Sequence, residues 1–225
     1  MPKSCPQDWY RNTEWNDEIA AAFHAKLARA RSQKPQYLCI QAGSLAKRHP
    51  DAALGLIDQY LETDDTFHLA NARNVQGQAY LALDQLDPAV SAFKQALLRE
   101  EEFPNVTSNT RLDFPRLVAL RQIRAEYDYA LDILNSRFKP EELAKPMNRY
   151  VDQGVRGLIA DHLGDRDRPR EFAFAALEAA RDRTSVFAEH PGIGLVENTD
   201  TVFGRRIKRI AKPGLVERIA APFRA

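Results

Sequence analysis

Apolar residues recur at helical spacing along most of this 225-residue chain, and this periodicity constrains the fold more than any other feature. Near the start, Ile19, Phe23, Leu27 and Ala30 would form a single apolar stripe on one face of a helix. The alternation of apolar and polar residues that is typical of strands is nearly absent, and clusters of Val, Ile and Thr are few. The sequence therefore predicts an all-α fold.

Capping residues and prolines divide this pattern into helices. Asn16 is placed to cap the first helix, and the acids that follow it, Asp17 and Glu18, favour the positive end of the helix dipole. Pro50, Pro88 and Pro115 are each expected to open a helix. Further helices are predicted at about residues 36–48, 50–61, 67–83, 88–102, 115–124, 127–138, 147–163 and 170–183, with two short helices on either side of Pro213-Gly214.

Composition places the chain among ordinary globular proteins. Hydrophobic residues make up 44% and charged residues 28%, and the net charge is +1, so no overall field attracts nucleic acid or an anionic membrane. Two cysteines without a C-x-x-C motif are typical of a reducing cytoplasm. We find no apolar run that would span a bilayer and no apolar segment of a signal peptide. The sequence therefore predicts a cytoplasmic protein without a membrane span.

The segment from Ala70 to Phe103 carries a recognisable repeat pattern. Gly77 and Tyr80 fit a Gly-x2-Tyr motif in its first helix, and Ala89, Phe93 and Ala96 follow at the matching spacing in its second. This segment resembles the tetratricopeptide repeat (TPR), a helix–turn–helix unit of 34 residues. A glycine at position 77 would let the second helix approach closely, and Phe93 would fill the groove between the helices. Three positions depart from the family pattern: Arg73, Gln76 and Glu101.

A weaker copy of the pattern lies 80 residues further on, where Gly157 matches Gly77 and Ala176 matches Ala96, although Pro169 replaces Ala89. The resemblance implies a short right-handed TPR-like solenoid of stacked antiparallel helix pairs. It also implies three regions: an N-terminal capping segment and helix at 1–35, repeats at 36–185, and an irregular linker with a basic tail at 186–225. Trp9, Tyr10 and Trp15 are expected to cover the open end of the array.

The resemblance also implies a function. In TPR proteins the first helix of each repeat lines a concave groove that holds a segment of another protein. Carried onto the best repeat, this implies a partner-binding face made of Asn71, Asn74, Gln78 and Leu81. The leading hypothesis is therefore a scaffold or adaptor that binds a protein or peptide, rather than an enzyme.

The basic tail supports an alternative hypothesis. Residues 204–225 hold seven basic residues and one acid, which leaves 25 basic and 30 acidic residues, a net of −5, in residues 1–203. Such a tail could contact nucleic acid or an anionic surface. However, its apolar residues at helical spacing favour docking on the preceding helices, around Phe172 and Leu177, with the basic side chains facing water. These apolar residues are Ile207, Ile210, Leu215, Ile219 and Phe223.

No constellation of catalytic or cofactor-binding residues is found. None of the five histidines stands in a metal-binding spacing such as H-E-x-x-H, and Gly192 and Gly194 do not form a phosphate loop. Asp161 and Asp165 share a face at a helix end and could hold a cation, but a solvated turn is the simpler interpretation. Cys5 has no identifiable paired base. We therefore predict no catalytic residue, metal or cofactor.

Overall fold

The computed structural model describes residues 8–187 and 189–212, and these residues form α-helices joined by turns and loops. Eleven α-helices and one 3-10 helix lie in these ranges, and no strand occurs within them. The predicted all-α fold class is thus confirmed for the described part of the chain. Cys5 and the second short helix predicted after Pro213-Gly214 lie outside the described residues.

The chain divides into two compact units, one ending at Thr110 and the other beginning at Arg111. Neighbouring helices of the first unit pack in chain order, α2 on α3, α3 on α4 and α4 on α5. These helices are α1 (Asp17–Leu27), α2 (Lys34–Leu45), α3 (Pro50–Leu61), α4 (Leu69–Ala82) and α5 (Leu86–Glu102).

The second unit begins in the first turn of α6 and contains the remaining helices. Within it α10 packs along α9, and α11 packs on both. The helices are α6 (Thr110–Arg121), a 3-10 turn (Arg124–Glu126), α7 (Tyr127–Ser136), α8 (Pro140–Leu143), α9 (Pro146–His162), α10 (Arg168–Arg181) and α11 (Val202–Ala211).

Several predicted helix ends are confirmed, and α6 is an exception. Asn16 caps α1 as expected, because its Oδ1 accepts a hydrogen bond of 2.9 Å from the Ile19 amide. By contrast, α6 begins at Thr110 and Pro115 lies inside it, so the predicted start at Pro115 was wrong. Phe114 and Leu117 on either side of that proline are both buried. Burial of this apolar face extends the helix past a residue that on its own would mark a boundary.

The N-terminal aromatic residues cover the core of the first unit. Trp9, Tyr10 and Trp15 are partly buried against the cluster that contains Phe23 and Leu27. The ring centroids of Trp9 and Phe23 lie 5.5 Å apart, a distance typical of aromatic pairs in protein cores. These residues therefore pack against the first helices, while their role as the cap of a repeat array stays a prediction.

Close packing of α4 on α5 depends on a glycine. A Cβ added to Gly77 would lie 2.7 Å from Cε1 of Phe93, so only glycine leaves room for that ring. Ala89, Phe93 and Ala96 on α5 are fully buried, as the repeat pattern predicts. Adjacent helix pairs are therefore packed as expected, while the right-handed solenoid and the boundaries at residues 35 and 185 stay predictions.

Candidate protein-binding site

The four residues predicted to face a partner differ in their exposure. Asn71 is exposed, and Gln78 and Leu81 are half-buried on the same helix, α4. Asn74 is only 3% exposed, and its Nδ2 donates a hydrogen bond of 2.9 Å to Oγ1 of Thr110. Thr110, the first residue of α6, is itself fully buried and covers the side chain of Asn74. Asn74 thus has a role in the fold, and the partner-binding face stays a prediction.

The Asn74–Thr110 bond belongs to a buried polar network that holds the loop after α5. Ser108 donates through both its backbone amide and its hydroxyl to Oε1 of Glu100, each at 2.7 Å. The hydroxyls of Ser108 and Thr110 are themselves 2.7 Å apart. Glu100 is 4% exposed, so its carboxyl group is stabilised by donors inside the unit rather than by water. The network fixes the loop from residue 103 to residue 110 against α4 and α5.

A small apolar pocket opens beside this loop. Its volume is about 120 Å³, and it is lined by Thr66, Phe67, Ala70, Arg99, Phe103 and Val106. Phe67 is 61% exposed and Phe103 is 48% exposed, although both are large apolar side chains. Scattered apolar residues are common on protein surfaces, but two exposed aromatic rings that line one pocket are typical of an interaction site.

Arg99 holds the two walls of the pocket together. Its guanidinium carbon lies 3.5 Å from the centroid of the Phe103 ring. Its Nη2 donates to the backbone oxygen of Thr66 at 3.0 Å, and its Nη1 donates to Glu102 at 2.9 Å. These contacts connect the loop before α4 with the end of α5. The pocket is therefore formed by the fold itself, and a partner would not need to organise it.

The loop before α4 is fixed from its other side by Tyr60 and Asp65. The Tyr60 hydroxyl lies 2.9 Å from both the backbone oxygen and Oδ2 of Asp65, and Oδ2 also accepts from the His68 amide at 2.9 Å. Burial, followed by the hydrogen bond to Asp65, raises the pKa of Tyr60, so the hydroxyl stays protonated and keeps donating. Phe67 is thus exposed on an ordered loop.

Acidic residues surround the pocket. Residues 60–70 and 99–106 together contain six acids and one basic residue, Arg99, a local net charge of one minus six, or −5. Four of the acids are exposed, two in the segment before Phe67 and two in the segment before Phe103. They are Glu62, Asp64, Glu101 and Glu102. The site combines an apolar centre with a negatively charged rim.

The sequence did not indicate this pocket, although two signals were present. Phe67 and Phe103 stand just outside the ends of the helices rather than on their apolar stripes. Both are also flanked by runs of acids, Asp64-Asp65 and Glu100 to Glu102, which mark the segments as exposed. A bulky aromatic residue inside an acidic turn is the pattern that would have identified the site.

In the second unit, the described part of the basic tail packs on the preceding helices α9 and α10, while docking centred on Phe172 and Leu177 stays a prediction. Phe203 and Ile207 on α11 are buried, and a Cβ added to Gly154 of α9 would lie 2.5 Å from Cδ1 of Ile207. Arg205, Arg209 and Lys212 remain exposed. A groove of about 470 Å³ lies between α10 and α11, and its lining includes Leu177, Arg181, Arg183 and Lys208. Leu215, Ile219 and Phe223 lie outside the described residues.

The residues considered for catalysis or metal binding have other roles. Asp165 bonds to the Arg168 side chain and to the backbone amides of Asp167 and Arg168, so it stabilises the start of α10. Burial raises the pKa of the Cys39 thiol to about 12, which leaves almost no thiolate at neutral pH. Residues 8–187 and 189–212 contain no group of three or more His, Cys, Asp or Glu side chains that could hold a metal ion.

Comparisons with protein-family models, curated proteins and solved structures find no match to this chain. None of the helices in the described ranges is long and apolar enough to cross a membrane.

Proposed function

We propose that this chain is a TPR-like helical protein that binds a segment of another protein through its first unit. The observation that carries the proposal is the preformed pocket between Phe67 and Phe103, two exposed rings beside the helix pair that resembles a TPR repeat. A scaffold role without catalysis, a cytoplasmic location and the stacking of helix pairs into a solenoid belong to the same proposal.

The exposed rings can supply useful binding energy. Fully burying a Phe side chain contributes about 1.5–3 kcal/mol, and both rings have roughly half of their surface available. Covering both would contribute about 2–3 kcal/mol, which corresponds to a change of roughly 30- to 150-fold in the dissociation constant. A segment anchored here would lie next to Asn71, which follows the pocket residue Ala70 on α4. Gln78 and Leu81 lie about two and about three turns farther along that helix.

Matched substitutions of exposed phenylalanines test the proposal. Phe103→Ala should abolish enrichment of the partner when the tagged chain is purified from its native host and the bound proteins are quantified by mass spectrometry. Phe174→Ala is the control, because Phe174 in the second unit is also 48% exposed and also lies beside an arginine, Arg170. Proteins retained equally by both variants would contradict binding at the pocket.

The basic face of α11 supports a second candidate function, contact with nucleic acid. Arg205, Arg209 and Lys212 are exposed on this helix, and Arg181 and Arg183 line the adjacent groove. Binding to a labelled oligonucleotide should then weaken with salt, with a log–log slope of about −0.9 for each phosphate contacted in duplex DNA. Replacing Arg209 and Lys212 by glutamine should reduce that slope. A salt-independent affinity, or none at physiological salt, would rule this function out.

A further inference from the structure

The pocket between Phe67 and Phe103 is too small for a helix face or a folded surface. Its volume is about 120 Å³, and an apolar cavity of about 150 Å³ holds one benzene-sized molecule. Apart from Arg99, the residues that line it are Ala70 on α4, two phenylalanines, Thr66 and Val106, so the lining is mostly apolar. The space therefore suits one aliphatic side chain of the size of Leu, Ile or Met.

The charge around the pocket selects the residues on either side of that anchor. Exposed carboxylates precede both aromatic residues in the sequence, Glu62 and Asp64 before Phe67, and Glu101 and Glu102 before Phe103. Asp64, Glu101 and Glu102 each lie within two residues of Thr66 or Phe103, so their backbones are no more than about 7 Å from residues that line the pocket. That separation is within the distance of about 8 Å over which exposed charges act at physiological salt. A segment with Lys or Arg flanking the anchor would be attracted, whereas an acidic segment or a phosphate backbone would be repelled.

Arg99 does not reverse this selection, although it is the one basic residue that lines the pocket. Its guanidinium lies on the Phe103 ring and donates to Glu102 and to the Thr66 backbone oxygen. The Arg99 side chain is only 14% exposed, so little of its charge is presented to a partner. Its hydrogen-bonding capacity is directed at the walls of the pocket rather than outward.

We propose, building on the protein-binding function above, that the partner presents a basic segment with a single aliphatic anchor. The anchor enters between Phe67 and Phe103, and Lys or Arg residues beside it face the exposed carboxylates of Glu62 and Asp64 on one side and Glu101 on the other. Glu102 is already paired with Arg99. The size of the pocket limits the anchor to one aliphatic side chain, and the negatively charged rim favours positive charge on the residues beside it.

Short fluorescent probe peptides test this with the full-length chain. One probe has a central Leu flanked by Lys and Arg, a second has Gly in place of that Leu, and a third keeps the Leu with Glu flanks. Fluorescence anisotropy should show the basic Leu probe binding at least about ten-fold more tightly than either of the others. Phe67→Ala and Phe103→Ala should remove that preference, Phe174→Ala should leave it unchanged, and unchanged helical circular dichroism would show that each variant is folded.

Removing negative charge from the rim tests the effect of charge on probe affinity without changing Phe67 or Phe103. Glu62→Gln combined with Asp64→Asn should weaken the basic Leu probe several-fold at low salt and by less at high salt, because screening already removes much of the attraction. Equal affinity for the three probes, or no binding of the basic Leu probe, would overturn the inference. That outcome can be distinguished from failure of the proposed function. If the probe peptides fail but Phe103→Ala still loses a partner in the purification from the host, the protein-binding function is supported and only the basic, single-anchor partner is rejected.

Self-association is a further outcome that would overturn the inference. If the pocket were covered by a second copy of this chain, sedimentation would show a dimer that Phe103→Ala dissociates. We expect the wild-type chain and the variant to sediment alike.

Discussion

Gly77 on α4 offers the sharpest test of how this helix packs against α5. A Cβ at this position would lie 2.7 Å from Cε1 of Phe93 and 2.9 Å from its Cζ, closer than carbon atoms approach in folded proteins. Phe93 is fully buried, so its ring can move only by displacing other core side chains. Overpacking of this kind costs roughly 1–3 kcal/mol, while alanine regains about 1 kcal/mol of helix propensity. Gly77→Ala should therefore change the free energy of unfolding by between about 0 and −2 kcal/mol.

Gly55 in α3 provides the matched control. It is exposed, and a Cβ there would meet no heavy atom within 4 Å, so Gly55→Ala changes helix propensity alone and should stabilise the chain by about 1 kcal/mol. Urea unfolding followed by circular dichroism should then separate the two variants by roughly 1–3 kcal/mol. Equal stabilisation by both substitutions would show that Phe93 does not lie against Gly77. The register of α4 on α5 would then have to be revised.

Four further substitutions, one of them a control, test three other parts of the structure. Phe93→Ala should lower the free energy of unfolding by about 3–5 kcal/mol because it empties the centre of the helix pair, and a loss below about 1 kcal/mol would contradict that position. Asn74→Ala should cost about 1–3 kcal/mol by leaving Thr110 without its buried donor, whereas Asn71→Ala on the exposed face should change stability by less than about 0.5 kcal/mol. Burial lowers the pKa of His162 below its unfolded value of about 6.5, so the unfolded chain binds more protons in acid. The contribution of His162 to stability should be fully present above its unfolded pKa and should be lost as the pH falls through its folded pKa. His162→Asn should therefore make the melting temperature depend less on pH in this range.

Local signals in the sequence were sufficient to predict most of the helices, although the short helix α8 (Pro140–Leu143), which follows the predicted break at Pro140, was missed. The cap at Asn16 and the first-turn proline at Pro50 act within a few residues, so they can be identified without knowledge of the fold. The pairing of Gly77 with Phe93 was also predictable, because the repeat pattern specifies both positions. The start of α6 was not, since the burial of Phe114 outweighs the boundary that Pro115 marks.

The candidate site depends on contacts between distant parts of the chain, which explains why the sequence placed it differently. The sequence predicts that Asn74 is a polar residue on an exposed helix face. In the structure its side chain is covered, because Thr110, 36 residues later, lies against it and accepts its hydrogen bond. The pocket likewise needs Thr66 and Arg99, which are 33 residues apart and meet through a single hydrogen bond. Spacing within a repeat indicates which helix faces outward, but it does not show which loop then folds over that helix.

Photo-crosslinking from the pocket tests the central claim most directly. A photoreactive phenylalanine analogue would replace Phe103 in the full-length chain, and the same analogue at Phe174 would serve as the control, since both positions are 48% exposed. After irradiation in the native host, mass spectrometry would locate the crosslinked residue on the captured protein. We predict adducts from position 103 alone, on one partner segment with an aliphatic residue flanked by Lys or Arg. No adduct from position 103, or the same proteins captured from both positions, would contradict the claim that this pocket binds a protein segment.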